Sequence, residues 1–301
     1  MIVLDNVGER LDQYLARELD LSRSKVQKLI KEEKILVNGN SSSANYNVKL
    51  NDNIEVLSDL DFEIDVVPEN IPIDVVYEDD YLLIVNKSSG MVVHPAAGNY
   101  SHTLVNALLY RFNLSSKDPI RPGIVHRIDK DTSGVMVVAK DDKTHELLSD
   151  MIKEKKVERT YIALVNGIIM HDTGDIDAPI GRDSVNRQKM MVTDVNAKDA
   201  LTHFRVLKRY KKDNKTLIEC KLDTGRTHQI RVHMEYIGHP VYNDPVYGKS
   251  RNTTEFGQFL HSKSIRFVHP ITNELIYKEV DLPKEFQDYL NILDENDNSA
   301  L

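Results

Sequence analysis

The chain has 301 residues, 41% apolar and 29% charged, with a formal net charge of −8. A single core rarely grows to that length without splitting, so one large and one small domain are expected. The charge counts against a nucleic-acid partner, which usually meets an excess of Lys and Arg. The lone cysteine, Cys220, excludes an internal disulfide and any zinc site needing two thiolates.

No apolar run is long enough to span a bilayer. The opening MIVLDNVGER lacks a basic segment leading into an apolar stretch, so secretion is not expected and a reducing cytoplasm is. Net charge does not report distribution, however. Acidic residues crowd the chain ends and the segment from Asp59 to Asp80, and basic residues cluster elsewhere.

In chain order, Leu11, Leu15 and Leu19 recur at the spacing of an amphipathic helix. Leu21-Ser22-Arg23-Ser24 supplies a cap for a second helix, with Val26, Leu29 and Ile30 inward and Arg23, Lys25, Lys28 and Lys31 outward. Ile35–Val37 reads as a strand entering an Asn38-Gly39 turn, and Asn53–Leu57 as a strand that closes a unit spanning residues 1–60. Residues 61–72 are acidic, carry Pro68 and Pro72, and read as a linker.

From residue 73 to 290 a second domain is expected. Its strands are Ile73–Tyr77, Tyr81–Asn86, Val135–Lys140, Thr160–Asn166, Thr202–Arg209 and Thr216–Leu222. Its helices are Thr103–Tyr110, Asp142–Lys155 and Thr227–Ile237. Residues 86–95 read as strand–turn–strand. Consecutive strands with hairpins imply an α+β domain: a mixed, largely antiparallel sheet with flanking helices. The polar tail, residues 291–301, is expected to fray from Asp294 onward.

Three stretches carry chemistry. Arg121 to Gly134 packs Arg121, His126, Arg127, Asp129, Lys130 and Asp131 into one loop before an apolar strand. Neighbouring cations favour the ionised form of a carboxylate, which a nucleophilic Asp requires. The same charges also fit a salt-bridged turn. In Asp223 to His233, Arg226 and Arg231 bracket the start of a helix around His228 and Gln229, which suits an anion or a buried carboxylate, or merely a polar cap. Tyr161 sits in a strand, where a tyrosine is more often core than catalytic. His228 and His233 are five apart and do not share a helical face, so no metal site is expected.

Together, and in this order, these stretches resemble the RluA/RluD-type ribosomal large-subunit pseudouridine synthases. Arg127-Ile128-Asp129 through Thr132-Ser133-Gly134 is similar to the family's nucleophile motif, with Ile where Leu is usual. Thr160-Tyr161-Ile162-Ala163 and Gly225 through His233 resemble its tyrosine and arginine motifs, and Gly238 through Gly248 matches a further loop. Arg10–Val56 resembles an S4 RNA-binding domain. Ser88 stands where the family often has proline after Asn-Lys, which suggests a looser loop. The resemblance implies Asp129 as nucleophile, Arg231 as its ion-pair partner and Tyr161 as a group stacked on the target base. It also implies RNA contacts from Arg127, Arg226 and His228, and from Arg23, Lys25, Lys28 and Lys31 in the S4-like helix. Large-subunit ribosomal RNA is the expected partner, with no cofactor, no metal, no membrane, and a monomer.

Two rivals remain. Asp129-Lys130-Asp131-Thr132 invites comparison with the D-x-D-x-T signature of Mg-dependent haloacid-dehalogenase phosphatases, although His126 and Arg127 interrupt the apolar strand that should precede it. The other rival is a non-catalytic S4-type RNA-binding protein. A protein kinase is a weaker reading still, because His126-Arg127-Ile128-Asp129 has one residue too many for H-R-D and no glycine-rich loop or D-F-G is present.

Overall fold

The computed structural model describes residues 2–3, 7–19, 23–57, 66–96, 99–183, 186, 189–248, 254 and 256–298, without the side chains of Ser24 and Lys25. The chain forms two compact units: Met1–Asp65 with Ala96–Tyr100, and Val66–Pro95 with Ser101–Leu301.

In the first unit, helix α1 (Leu11–Glu18) buries Leu11 and Leu15, and Leu19 is its partly buried C-cap. Helix α2 (Arg23–Lys31) turns Val26, Leu29 and Ile30 into the same core. The cap read at Ser22 lies outside the described residues. Strands β1 (Ile35–Val37), β2 (Asn40–Ser41) and β3 (Ile54–Val56) form an antiparallel sheet in the order β2-β1-β3. Asn38 and Gly39 join β1 to β2 with φ of 52° and 75°. Two successive positive φ values are what a two-residue hairpin turn demands, and Asn-Gly adopts them at little cost.

One buried charge ties α1 to α2. Asp12 is fully buried and accepts from Arg10 Nε at 3.0 Å, Arg23 Nη2 at 3.0 Å and Gln27 Nε2 at 2.6 Å. Arg23 therefore turns two of its donors inward, although its side chain stays 47% exposed.

The second unit is built on one nine-stranded sheet. Its strands are β4 (Asp74–Glu78), β5 (Leu82–Lys87), β6 (Ser133–Ala139), β7 (Glu158–Asn166), β8 (Thr173–Asp177), β11 (Leu201–Tyr210), β12 (Lys215–Leu222), β13 (Leu260–Val268) and β14 (Leu275–Glu279). Their order is β4-β5-β6-β13-β7-β12-β11-β8, with β14 pairing β13 off that path. Every pair is antiparallel except β6 with β13. A separate ribbon pairs β9 (Ile180–Arg182) with β10 (Met190–Val192).

Strict alternation along the strands divides the core. Leu83, Val85, Met136, Val138, Tyr161 and Ala163 pack with helices α3 (Leu104–Arg111) and α5 (Gln229–Tyr236). Leu82, Ile84, Val135 and Val137 pack with Leu148 of α4 (Asp142–Lys153). Ile162 and Leu164 pack with Phe286, Leu290 and Leu293 of α6 (Lys284–Asn298). No helix among the described residues is long and apolar enough to cross a membrane.

The parallel pair positions the chemistry. β13 lies between β6 and β7, so Ser262 faces Gly134 on one side and Tyr161 on the other. Gly134 has φ of 112°, and a Cβ there would stand 2.1 Å from the Ser262 carbonyl oxygen. Glycine alone allows the strand that follows the Asp129 loop to approach β13 this closely.

Several expectations need correction. The C-terminal residues do not fray at Asp294: α6 continues to Asn298, because Leu290 and Leu293 extend the stripe begun by Phe286. Residues 91–95 are not a strand. Instead the Val92 and Val93 carbonyls accept from Leu104 and Val105 at the start of α3. Residues 66–72 lack helix and strand, but are tied to α3 by Asn106 Nδ2 donating to the Val67 carbonyl at 2.8 Å. Strands β8, β9, β10, β13 and β14 were not anticipated.

Arg10, first, and then Gln27 and Arg23 hold the Asp12 carboxyl well below the usual carboxylate range against the cost of burial. A carboxyl depressed in the folded state contributes stability that is complete above its unfolded pKa and fades as pH falls through it. Asp12→Ala is expected to cost about 2 kcal/mol at pH 7, with a difference from wild type that shrinks below about pH 4. Urea unfolding across pH checks this; a difference constant with pH would contradict it.

Candidate active site

Asp129 closes the long loop between α3 and β6. Ile128 beside it is buried and packs into the central core, which fixes the loop end. The Asp129 carbonyl accepts from Thr132 at 3.2 Å, and Thr132 Oγ1 accepts from Gln258 Nε2 at 3.0 Å. The Asp129 side chain keeps 18% exposure at the edge of a cavity of about 450 Å³.

Arg231 on α5 reaches the same point. Its Nη1 donates to Asp129 Oδ2 at 2.8 Å. Its Nε and Nη2 donate to the two oxygens of Asp244 at 2.6 and 2.9 Å. Asp244 Oδ1 also accepts from the backbone N–H groups of Val246 and Tyr247. Burial pushes the Arg231 pKa down, but Asp244 and Asp129 outweigh it and hold the guanidinium firmly charged. Burial likewise pushes the Asp244 carboxyl up, and Arg231 brings it below its ordinary range. The arrangement is a charge triad with one cation between two carboxylates.

Tyr247 completes the support. The Arg231 guanidinium lies 5.0 Å from the centre of its ring. Its hydroxyl accepts from the Met190 N–H at 2.9 Å and sits 2.9 Å from His228 Nδ1. The second ring nitrogen, Nε2, turns toward Asp129. That nitrogen is 3.9 Å from Asp129 Oδ1. Burial lowers the His228 pKa, so the ring is neutral. His228 takes up a left-handed conformation, φ 57°, as the residue that caps α5.

Tyr161 lies on the β7 face that lines this cavity and is 5% exposed. Burial raises its hydroxyl pKa, so the phenol is neutral. Arg127 is exposed on the rim. Arg226 also lines the cavity, with its Nε donating to the Asp199 carbonyl at 2.8 Å. Asp129, Tyr161, Arg231, Arg127, Arg226 and His228 are thus brought to one cavity. In the first unit, the Lys28 and Lys31 side chains are exposed on α2, and the Lys25 side chain lies outside the described residues.

Gln229 and His233, from the same stretch, serve the backbone. Gln229 bonds Arg226 N, Thr224 Oγ1, the Leu201 carbonyl and Thr202 Oγ1, all within 3.0 Å. Every capacity of its amide is filled, and the loop carrying Gly225 and Arg226 is latched to β11. His233 bridges Thr202 and the Ala178 carbonyl.

Three residues escaped the sequence reading: Asp244, Tyr247 and Lys87. The first two lie in the loop from Gly238 to Gly248, which resembles a loop of the family but gave no residue a role. Lys87 is 1% exposed, and its Nζ donates to the carbonyls of Ser88, Met91 and Lys130, each at 2.8 Å. Burial pushes its pKa down to about 7, opposed by Asp131 and Asp129. Three carbonyl partners fit the ammonium, because a neutral amine has only two protons to give. We therefore take Lys87 as charged. It pins the loop at the residue next to Asp129 and closes the turn where Ser88 replaces proline, so the looseness expected there is not found.

A second cavity, of about 1260 Å³, lies away from Asp129. Among the described residues, Asp74, Asp131, Glu279, Asp281, Glu285 and Asp288 line it with one cation, Lys87. The Asp129 cavity is lined by six cations and two carboxylates. Asp129 and Asp131 therefore open onto different cavities, which disfavours a phosphatase needing both at one metal. The D-x-D-x-T register also fails, since position 133 is Ser. No group of three His, Cys, Asp or Glu residues among those described is placed to hold a metal.

The family described as RNA pseudouridylate synthase matches residues 81–236, and the S4 domain matches residues 9–54. An uncharacterized RNA pseudouridine synthase of Bacillus subtilis is 48% identical over 96% of this chain and 95% of its own length. Ribosomal large subunit pseudouridine synthase D of Zymomonas mobilis is 43% identical over 93% of this chain and 92% of its own. Among solved structures, Human RNA Pseudouridylate Synthase Domain Containing 1 superposes with a TM-score of 0.59 at 27% identity, covering 75% of this chain and 96% of that one. The chain belongs to the RNA pseudouridylate synthase family. It is an isomerase that converts uridine to pseudouridine in RNA and carries an N-terminal S4 domain.

Lys87→Met removes the three-carbonyl clamp while keeping the side chain's bulk. The protein is expected to fold with a displaced Asp129 loop and to lose on the order of 10²-fold in turnover. Single-turnover isomerisation measures this, and unchanged turnover would show that the clamp does not position the loop.

Proposed function

We propose that this enzyme acts on uridines of large-subunit ribosomal RNA, with Asp129 as its nucleophile or base. The observation that carries the assignment is the 2.8 Å hydrogen bond from Arg231 to Asp129 Oδ2 at the mouth of the Asp129 cavity. It holds the carboxylate in a fixed direction while part of that carboxylate stays accessible. The ribosomal target is supported by the name of the Zymomonas mobilis relative and by the S4 match. With ribosomal RNA as its target, the enzyme works in the cytoplasm.

The reaction breaks the N1–C1′ bond of uridine, turns the base and joins C5 to C1′. The proton lost from C5 balances the proton gained at N1. Asp129 serves either by attacking C1′ or by drawing a sugar proton in elimination to a glycal; both routes need it ionised. Arg231 donates to it and orients it. Tyr161 stacks on the base as a neutral phenol and assists removal of the C5 proton. C1′ is shielded in a stacked strand, so the target nucleotide is flipped, at a cost of a few kcal/mol offset by pocket contacts.

Arg127 on the rim contacts phosphate or props the flipped uridine, and Arg226 and His228 contact the RNA alongside it. Arg23, Lys25, Lys28 and Lys31 of the S4 domain contact phosphates, an attraction that weakens with salt.

Tritium release from RNA labelled with [5-³H]uridine tests this. Asp129→Asn is expected to abolish release while RNA binding and folding persist, and release by wild type is expected to survive EDTA. Full release by Asp129→Asn would overturn the assignment.

A further inference from the structure

Arg159 lies two residues before Tyr161 on β7, on the same face, and lines the same cavity. It is 5% exposed, yet its Nε has no hydrogen-bond partner among the described residues, and no carboxylate among them pairs with it. A buried cation without a counter-charge is costly and normally finds an anion. Arg231, the other buried arginine here, has two. The unmet charge of Arg159 therefore points to a ligand.

A second buried donor lines the same cavity. His126 Nε2 accepts from the Val137 N–H at 3.0 Å, which places the ring proton on Nδ1. That nitrogen is also buried and without a partner among the described residues. Burial and then Arg159 push the His126 pKa down to about 3, so the ring is a neutral donor. Room is kept by Gly225, where an added Cβ would stand 3.1 Å from Arg159 Nη1. Lys153 and Lys155 at the end of α4 add positive charge to the same wall.

We propose that Arg159, with His126, forms an anion subsite that takes a phosphodiester group of the RNA strand beside the flipped uridine. The cavity then holds the nucleotide at two ends, with its sugar and base toward Asp129 and Tyr161 and a phosphate against the guanidinium. This rests on the reading of the cavity as the uridine site. A planar guanidinium suits a phosphate, because two parallel donors meet two oxygens.

The test uses the full chain and two readouts. First, in tritium release from large-subunit RNA, Arg159→Gln is expected to raise KM about tenfold or more, with the loss falling on KM rather than kcat, and Arg159→Lys to restore part of it. Second, inorganic phosphate is expected to raise the melting temperature of wild type and Arg159→Lys, compared with sodium chloride of equal ionic strength, by clearly more than that of Arg159→Gln, whose remaining rise reports the other cations and the general salt effect. Without ligand, Arg159→Gln is expected to melt no lower than wild type, because it removes an uncompensated buried charge.

If Arg159→Gln does not fold, Gly225→Ala crowds the guanidinium without backbone strain and is expected to raise KM and weaken the phosphate response. A variant that melts lower yet keeps the wild-type phosphate response would show a structural arginine and overturn the proposal. A phosphate response lost together with an unchanged KM would assign the site to a free anion and overturn its RNA role. Stabilisation by uridine but not by phosphate would overturn the choice of ligand. If wild type releases no tritium from ribosomal RNA, the target reading fails, and the melting experiment still decides the subsite.

Discussion

One guanidinium holds the candidate active site together. Arg231 is locked to Asp244 by two hydrogen bonds and touches Asp129 with one. The inequality matters. Asp244 is buried and fixed by two backbone N–H groups, so it sets where Arg231 points. Asp129, 18% exposed, receives that direction and keeps an edge toward the cavity. Breaking a buried pair leaves an uncompensated charge and typically costs 3–5 kcal/mol, so the triad is held as one unit. Lys87 adds a clamp from the other side by gripping the Lys130 carbonyl.

Charge distribution explains how a chain of net charge −8 meets RNA. Among the described residues, six cations line the Asp129 cavity, whereas six carboxylates line the larger one. The field thus attracts a polyanion to one cavity and repels it from the other. Composition alone averages the two and points the wrong way.

The α+β architecture was legible because the strands are rich in branched and aromatic residues and follow one another with few helices between them. β13 was not, although it is the strand on which the site is laid out. His261 and Ser262 break its apolar pattern, yet both are buried: His261 bonds Ser133 Oγ and Ser262 bonds the Val135 carbonyl. A polar residue satisfied inside a sheet looks like a loop residue in a sequence. α6 hid for the opposite reason, since only Phe286, Leu290 and Leu293 mark its inner stripe among polar neighbours. At the site, Asp129, Tyr161 and Arg231 could be named from ordered stretches. Asp244, Lys87 and Arg159 could not, because their roles depend on what they face across the fold: a guanidinium, three carbonyls, and an empty counter-charge position.

The central claim is that Asp244 aims Asp129 through Arg231, and Asp244→Asn tests it most directly. The substitution keeps the shape of the side chain and removes its charge. If the claim is right, the folded variant binds RNA with KM near wild type and loses on the order of 10²-fold in kcat for tritium release. Wild-type kcat in a folded Asp244→Asn protein would contradict it.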